Sequence, residues 1–401
     1  MTPTGGAVAG ERARAALAAS QRSDIASFIV MDVMRRAAER EQAGQRVIHM
    51  EVGQPGTPAP RAALQAVRRA LDTDALGYTL ALGMPALRER IAGLYRDWYG
   101  LDVPPERVIV TTGSSGAFVL AFLALFDVGA RVGLPAPGYP CYRHILAALG
   151  ARPVTIETGP ETRWMPTAGQ VAAEIADGLA GLLIASPANP TGTMLEPERL
   201  AEIARLCREG GAWLVSDEIY HGLSYGQPER TALAYSDEAI VINSFSKYFS
   251  MTGWRVGWMV VPERLVRPIE RLQQNLFIAP PAVSQVAALG AFEAFDELEA
   301  NKRAYADSRE LLLAELPKAG FDAIVPADGA FYLYADISAF SDDSLAFAAA
   351  MLDETGVAIT PGLDFDAARG HRFVRFSYSG TTGDVAEAAR RLQGWGRLQR
   401  G

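Results

Sequence analysis

Apolar positions between residues 108 and 261 fall into short runs. Val108-Ile109-Val110, Arg131-Val132-Gly133-Leu134, Gly181 to Ser186, Trp213 to Ser216, Ala239 to Asn243 and Val256 to Val261 each read as a strand. Short apolar runs bounded by turn-forming residues fit strands buried on both faces. Helical spacing fills several of the gaps, over 114–126, 139–149 and 197–209. Strands alternating with helices predict an α/β fold with a mainly parallel sheet covered by helices. Upstream, residues 23–41 place Ile25, Phe28, Ile29 and Val33 on one helical face, with Ser23 as the cap. Val47 to Val52 predicts a short strand that runs into a Gly53-Gln54-Pro55-Gly56 turn. Pro85 opens an amphipathic helix carrying Leu87, Ile91, Leu94, Tyr95 and Trp98, and Gly100 ends it.

The pattern changes after residue 282. A long helical stretch from Ala282 to Leu316 leads to strands over 330–335 and 373–378 and a last helix near 384–397. This predicts a smaller α+β domain with the N-terminal helix packed on it. The expected division is an N-terminal arm over 1–22, a large domain over 59–285, and a small domain made of 23–58 and 286–401.

Composition narrows the function. The chain has 401 residues and a net charge of −8 with no long Lys/Arg run, which argues against nucleic-acid or anionic-membrane partners. Cys141 and Cys207 are the two cysteines, and no CxxC pair exists. That excludes a disulfide framework and a zinc-type site, and leads us to expect a reducing, cytoplasmic compartment. No metal is expected. The first residues are rich in Ala and Gly, with charges at Glu11, Arg12 and Arg14, and lack the apolar core of a signal peptide. No apolar run is long enough to span a bilayer.

Candidate chemistry clusters where strands end. Ser244-Phe245-Ser246-Lys247 follows a strand, and Arg255 comes eight residues later in Thr252-Gly253-Trp254-Arg255-Val256-Gly257. Two hydroxyls and a guanidinium suit a phosphate. A partly desolvated lysine near cations has a lowered pKa and becomes a nucleophilic amine. Ser216-Asp217-Glu218-Ile219-Tyr220 ends the preceding strand. A buried Asp there needs a partner such as a protonated ring nitrogen, unless it caps a helix. In Ser186-Pro187-Ala188-Asn189-Pro190-Thr191-Gly192 the amide of Asn189 sits at a turn corner. Thr112-Gly113-Ser114-Ser115-Gly116 joins strand to helix with small residues that let backbone N–H groups approach an anion. Tyr139 opens the next helix and could stack on a ring. Arg375, inside the strand Val374-Arg375-Phe376-Ser377-Tyr378, calls for an anion, and a carboxylate is its natural bidentate partner. Taken singly, each has an ordinary structural explanation: surface charge, cap, turn, packed aromatic or salt bridge.

Together and in this order, these segments resemble the class I/II aminotransferase family of fold-type I pyridoxal-phosphate (PLP) enzymes. The resemblance covers roughly residues 23–398, and Ser244 to Gly257 matches the family's lysine-attachment signature throughout. It implies a PLP cofactor bound covalently to Lys247, which then shuttles a proton. It implies that Asp217 pairs with the ring nitrogen, that Asn189 and Tyr220 contact the ring oxygen, and that Tyr139 stacks on the ring. Ser114, Ser115, Ser244, Ser246 and Arg255 would surround the phosphate. Tyr78 resembles the tyrosine that reaches the phosphate of a neighbouring subunit, so a homodimer with shared sites is implied. Arg375 resembles the arginine that holds the substrate α-carboxylate, with the Gly53 backbone assisting.

The reaction implied is transamination between an L-amino acid and a 2-oxo acid. The same lysine and aspartate would also serve a β-eliminating lyase, of the C–S lyase or aminocyclopropane carboxylate synthase kind. A PLP-binding transcription regulator is disfavoured by the short N-terminal segment and the acidic balance. No arginine lies between Asn275 and Gln285, which reads Leu276-Phe277-Ile278-Ala279-Pro280-Pro281. With Phe331 and Tyr332, that segment leads us to expect an apolar pocket and a preference for neutral or aromatic amino acids over aspartate.

Overall fold

Most strands of the central sheet divide their side chains between two cores. Val108, Val110, Val241, Trp258 and Val260 enter one core, while Ile109, Ile240, Ile242 and Met259 enter the other. Alternation is therefore present, but both faces are apolar because helices cover both. The computed structural model describes residues 19–325 and 327–398. Its central sheet has seven strands in the order Val108–Thr111, Gly257–Val260, Ile240–Ser244, Trp213–Asp217, Gly181–Ala185, Arg131–Ala136, Arg152–Glu157. Gly257–Val260 runs antiparallel to both neighbours, and the other pairs are parallel. A second sheet orders Thr360–Pro361, Phe373–Ser377, Tyr332–Asp336 and Ile324–Val325, all antiparallel. Ile48–His49 pairs in parallel with Val357–Ala358, tying the N-terminal segment to the C-terminal part. No helix among the described residues is long and apolar enough to cross a membrane.

Several elements differ from expectation. The first α-helix begins at Ile29, not near Ser23, and runs to Gln42. Its first N–H groups, on Ile29 and Val30, donate to the Asp364 carboxylate, 3.0 and 3.3 Å away. A cap supplied from a remote segment thus replaces the local serine. Ile25 lies outside the helix and is exposed. The expected Val47 to Val52 strand shrinks to two residues, because Met50 and Glu51 bond instead to segments of the second sheet. The helical stretch after 282 breaks into Ala282–Ala291 and Phe295–Glu315. Its first half lies against helix Arg61–Thr73 so closely that a Cβ on Gly290 would meet the Ala62 carbonyl at 2.7 Å. Helices Arg61–Thr73, Ala168–Ala176, Glu263–Leu276 and Ser344–Thr355, and the strand Arg152–Glu157, had no counterpart in the sequence reading. Residues 1–18 of the expected arm lie outside the described residues.

Candidate active site

Three parallel strands deliver polar residues to one edge of the sheet. Asp217 closes one strand, Asn189 lies in the turn after Gly181–Ala185, and Lys247 lies three residues beyond Ser244. The helix that follows Val108–Thr111 brings Ser114 and Ser115, and Arg255 precedes the antiparallel strand. Ligands on such sheets bind at the carboxyl ends of the strands. These residues line a cavity of about 610 Å³, joined by Gly53, Tyr139, Tyr220, Tyr332 and Arg375.

The Lys247 ammonium donates to the Gly53 carbonyl. Burial, followed by the nearby Arg375 charge, lowers its pKa to about 8, against the pull of Asp217. About a tenth of the amine is therefore neutral, and nucleophilic, at pH 7. The serines before it set the turn: Ser244 Oγ accepts from the Ser246 N–H at 3.1 Å and lies 2.8 Å from Ser246 Oγ.

Asp217 is almost completely buried. Its carboxylate accepts from the Tyr142 hydroxyl and from the Ile219 N–H at 3.1 Å. Burial raises its pKa to about 6, opposed by the Tyr142 bond. Tyr142 lies three residues, nearly one helical turn, after Tyr139, and the rings meet edge-on at 5.3 Å. That spacing was a readable signal, and the sequence reading missed it.

Arg375 is buried between two rings, with its guanidinium carbon 4.3 Å from the Tyr332 centroid and 4.8 Å from that of Phe365. Nη1 donates to Asn189 Oδ1 at 2.8 Å, and Nη2 to the Glu51 carbonyl and to Thr360 Oγ1. Nε has no protein partner although it is buried. The Tyr220 hydroxyl lies 2.7 Å from that of Tyr332. Gly53 is required by a close approach: a Cβ there would meet the Tyr332 hydroxyl oxygen at 1.9 Å.

Ser114, Ser115, Ser246, Thr252, Gly253 and Arg255 form a cradle for an anion at the start of helix Gly113–Leu125. Gly113 has φ +68°, and a Cβ would meet Arg255 Nη2 at 2.6 Å, so the glycine makes room for the guanidinium.

Not every expected residue arrives. Ser244 stands behind Ser246 and does not reach the cavity wall. Tyr78, which the resemblance assigns to a neighbouring subunit's site, is 86% exposed and outside the cavity of its own chain. The Asn275 to Gln285 segment also misses it, with Leu276 and Ile278 on the surface, and Phe331 is packed in the core. The apolar wall comes instead from Phe28, Val30, Met31, Met34 and Val52. Behind Asp217 lies a buried network the sequence did not reveal. Glu218 Oε1 accepts from Ser216 Oγ, Thr231 Oγ1 and the Ala232 N–H at 2.8–3.1 Å. His221 Nε2 donates to the Ser186 carbonyl at 2.9 Å, and Nδ1 lies 2.6 Å from the Tyr99 hydroxyl. This ties the Asp217 loop to the Asn189 turn.

Comparison with known proteins agrees with the geometry. Residues 45–392 match the family model for aminotransferase class I and II. The valine–pyruvate aminotransferase of Mycobacterium tuberculosis is 50% identical over 378 residues, 93% of this chain and 97% of that protein. The crystal structure of an aminotransferase from the same organism superposes with a TM-score of 0.92 at 50% identity, covering 94% of this chain and 98% of the other. Aspartate aminotransferase from Thermus thermophilus with maleate superposes with a TM-score of 0.89 at 32% identity, covering 94% and 99%. A buried lysine, a buried carboxylate and a buried arginine around one cavity, on a fold and sequence shared with these enzymes, lead to one conclusion: the chain belongs to the class I and II aminotransferases and is an amino-group-transferring enzyme.

Proposed function

We propose that this aminotransferase uses PLP, bound in the 610 Å³ cavity, to move the amino group of a neutral amino acid to a 2-oxo acid. The convergence of Lys247, Asp217 and Arg375 on that cavity carries the proposal. The donor set fits the cofactor group by group. Ser114, Ser115, Ser246 and Arg255 match a phosphate, Asp217 matches a ring nitrogen that carries a proton, and Lys247 matches an aldehyde carbon. Asn189 and Tyr220 suit the ring hydroxyl, and Tyr139 suits a ring face. When bound, PLP supplies an aldehyde that condenses with amines and a ring that withdraws electrons from the carbon bearing the nitrogen.

The chain's own residues do the rest. Asp217, ionised above about pH 6, holds a proton on the ring nitrogen. Arg375 fixes the substrate carboxylate, and its bonds to Asn189, Glu51 and Thr360 keep its plane from turning. Lys247 takes the proton from the substrate α-carbon and returns it to the carbon on the other side of the nitrogen, two bonds away, which its lowered pKa of about 8 allows near neutral pH. Tyr139 and Tyr332 exclude water from the reacting face.

A neutral substrate is favoured by the wall of Phe28, Val30, Met31, Met34 and Val52. Lys247, Arg255 and Arg375 are the cations among the described lining residues, and each already has a role. The 50%-identical relative is named for valine and pyruvate. We further assign a large domain over 59–285, a small domain over 23–58 and 286–401, and a cytoplasmic homodimer.

A screen of amino donors against pyruvate and 2-oxoglutarate tests this reading. Valine, alanine, methionine or phenylalanine should give a higher kcat/KM than aspartate. A higher value for aspartate refutes the substrate assignment. Retention of transfer by Lys247→Ala refutes the assignment of the lysine.

A further inference from the structure

Glu51 combines two roles in one residue. Its backbone carbonyl accepts from Arg375 Nη2 and, at 2.6 Å, from Thr360 Oγ1. Its side chain is fully buried, and neither it nor His49 lines the cavity. Oε1 lies 2.7 Å from His49 Nδ1, and Oε2 has no partner. The other nitrogen of the ring, Nε2, lies 3.1 Å from Glu41 Oε1 on helix Ile29–Gln42. The same helix carries Met31 and Met34 into the cavity wall. A buried carboxylate with a single partner needs that partner to be charged, because a lone buried charge is costly.

We propose that the His49–Glu51 pair, braced by Glu41, is a positioning device that fixes the Glu51 carbonyl and through it the substrate-carboxylate grip of Arg375. This inference rests on the reading of Arg375 as the carboxylate anchor. The link is short. Glu51 is two residues from Gly53, whose carbonyl accepts from Lys247, so the segment 49–53 supplies acceptors to both cationic groups that handle substrate. Disturbing the side chain of Glu51 moves the backbone that carries them.

The charge state follows from the surroundings. The bond to Glu51 raises the His49 pKa to about 9, assisted by Glu41 and opposed by partial burial. The opposing strand residues, Val357 and Ala358, carry no charge. Arg46 is engaged by Asp384 of helix Thr382–Gln393 at 2.8 Å, and Asp353 of helix Ser344–Thr355 by Arg36 and Arg40. A histidine with a raised folded pKa contributes its pairing fully below the ordinary value of 6.5, and loses it as pH rises through about 9.

The test measures binding rather than turnover. The holoenzyme is titrated with isovalerate, a non-reacting carboxylate that carries no amine, at pH 7 and pH 10. His49→Gln should weaken binding about fivefold at pH 7, and the two proteins should converge at pH 10, where the parent has lost the same charge. Titration of the Lys247 nitrogen, condensed with the cofactor in the holoenzyme, is common to both and cancels in the ratio. Glu51→Gln, which keeps the shape, should also weaken binding at pH 7, and in turnover it should raise KM more than it lowers kcat. Equal dissociation constants at pH 7, or a gap that persists at pH 10, overturns the proposal. Arg375→Ala separates the two levels. If it leaves isovalerate binding unchanged, the reading of Arg375 fails. If it abolishes binding while His49→Gln changes nothing, only the positioning role fails.

Discussion

Replacing Asp217 with Asn should make the cofactor-free protein more stable while removing its activity. Asp217 is buried, and its pKa stands at about 6 against an ordinary 3.8. Each pH unit between those values corresponds to about 1.4 kcal/mol, so ionising the group inside the fold costs about 3 kcal/mol more than in the unfolded chain. The sign follows from the direction. A carboxyl whose folded pKa is raised favours the fold when protonated, and that advantage disappears as pH climbs from about 4 past about 6. Asn has the same shape and no charge. Its oxygen can accept from the Ile219 N–H, and its NH₂ can donate to the Tyr142 oxygen, so both existing contacts have a counterpart. Cofactor-free parent and variant are unfolded in urea at pH 8 and pH 5. The variant should be more stable by about 3 kcal/mol at pH 8, with the gap reduced to about 1.6 kcal/mol at pH 5. Its kcat/KM with valine, measured with cofactor present, should fall at least 100-fold, because no carboxylate is left to hold the ring proton. A variant less stable than the parent at pH 8, or a gap independent of pH, refutes the claim that this carboxylate is held at a cost for its function.

Three other outcomes follow from the same site. Gly53→Ala sets a methyl carbon 1.9 Å from the Tyr332 hydroxyl oxygen, about 1.5 Å inside ordinary contact. It should destabilise the protein by about 1–3 kcal/mol in urea unfolding and raise KM, with partial recovery in the Gly53→Ala/Tyr332→Phe double variant; no recovery would mean the collision lies elsewhere. The rate at which cofactor-free protein takes up added PLP, followed by absorbance, should rise with pH around a midpoint near 8, where Lys247 loses its proton; a midpoint near 10 would contradict the desolvated lysine. Arg375→Lys keeps the charge but loses the planar fork, and should lower kcat/KM for neutral amino acids about 100-fold; a loss under threefold would mean that charge alone binds the carboxylate.

The sequence made the sheet legible because its strands carry apolar residues on both faces, a pattern that few other elements produce. Arg152–Glu157 escaped because it is an outer strand with only Ile156 buried. Glu263–Leu276 is amphipathic, but Pro268 inside it reads as a breaker. The first helix was misplaced because its cap, Asp364, lies 335 residues away, where no local rule can see it. The site divides in the same way. Lys247, Asp217, Asn189 and Arg375 were readable because each stands at a strand end or in a strand, where its type needs an explanation. Phe28 read as part of the apolar face of a helix, Met31 and Met34 carried no signal, and only the fold turns all three toward the cavity. The segment 275–285 was assigned to the pocket on its apolar character, but Leu276 and Ile278 stand on the surface, which apolar character alone does not foretell.

The charge on the cavity wall explains why these residues need one another. The chain carries a net charge of −8, yet the described residues lining the cavity include Lys247, Arg255 and Arg375 against the single carboxylate of Asp217. Such an excess of positive charge in a poorly solvated space is unfavourable. Lys247 relieves part of it by giving up its proton more readily, and Arg375 and Arg255 are among the causes. Arg375 relieves more through carbonyl and amide acceptors and two flanking rings. On the proposed function, what remains is matched by anions of two kinds, a phosphate at Arg255 and a carboxylate at Arg375. Each anion that binds also favours the ammonium form of Lys247 by reducing the opposing charge. Filling the site therefore strengthens the hold of the free Lys247 amine on a proton, the change a residue needs if it is to accept a proton from one carbon and keep it until it is returned to another.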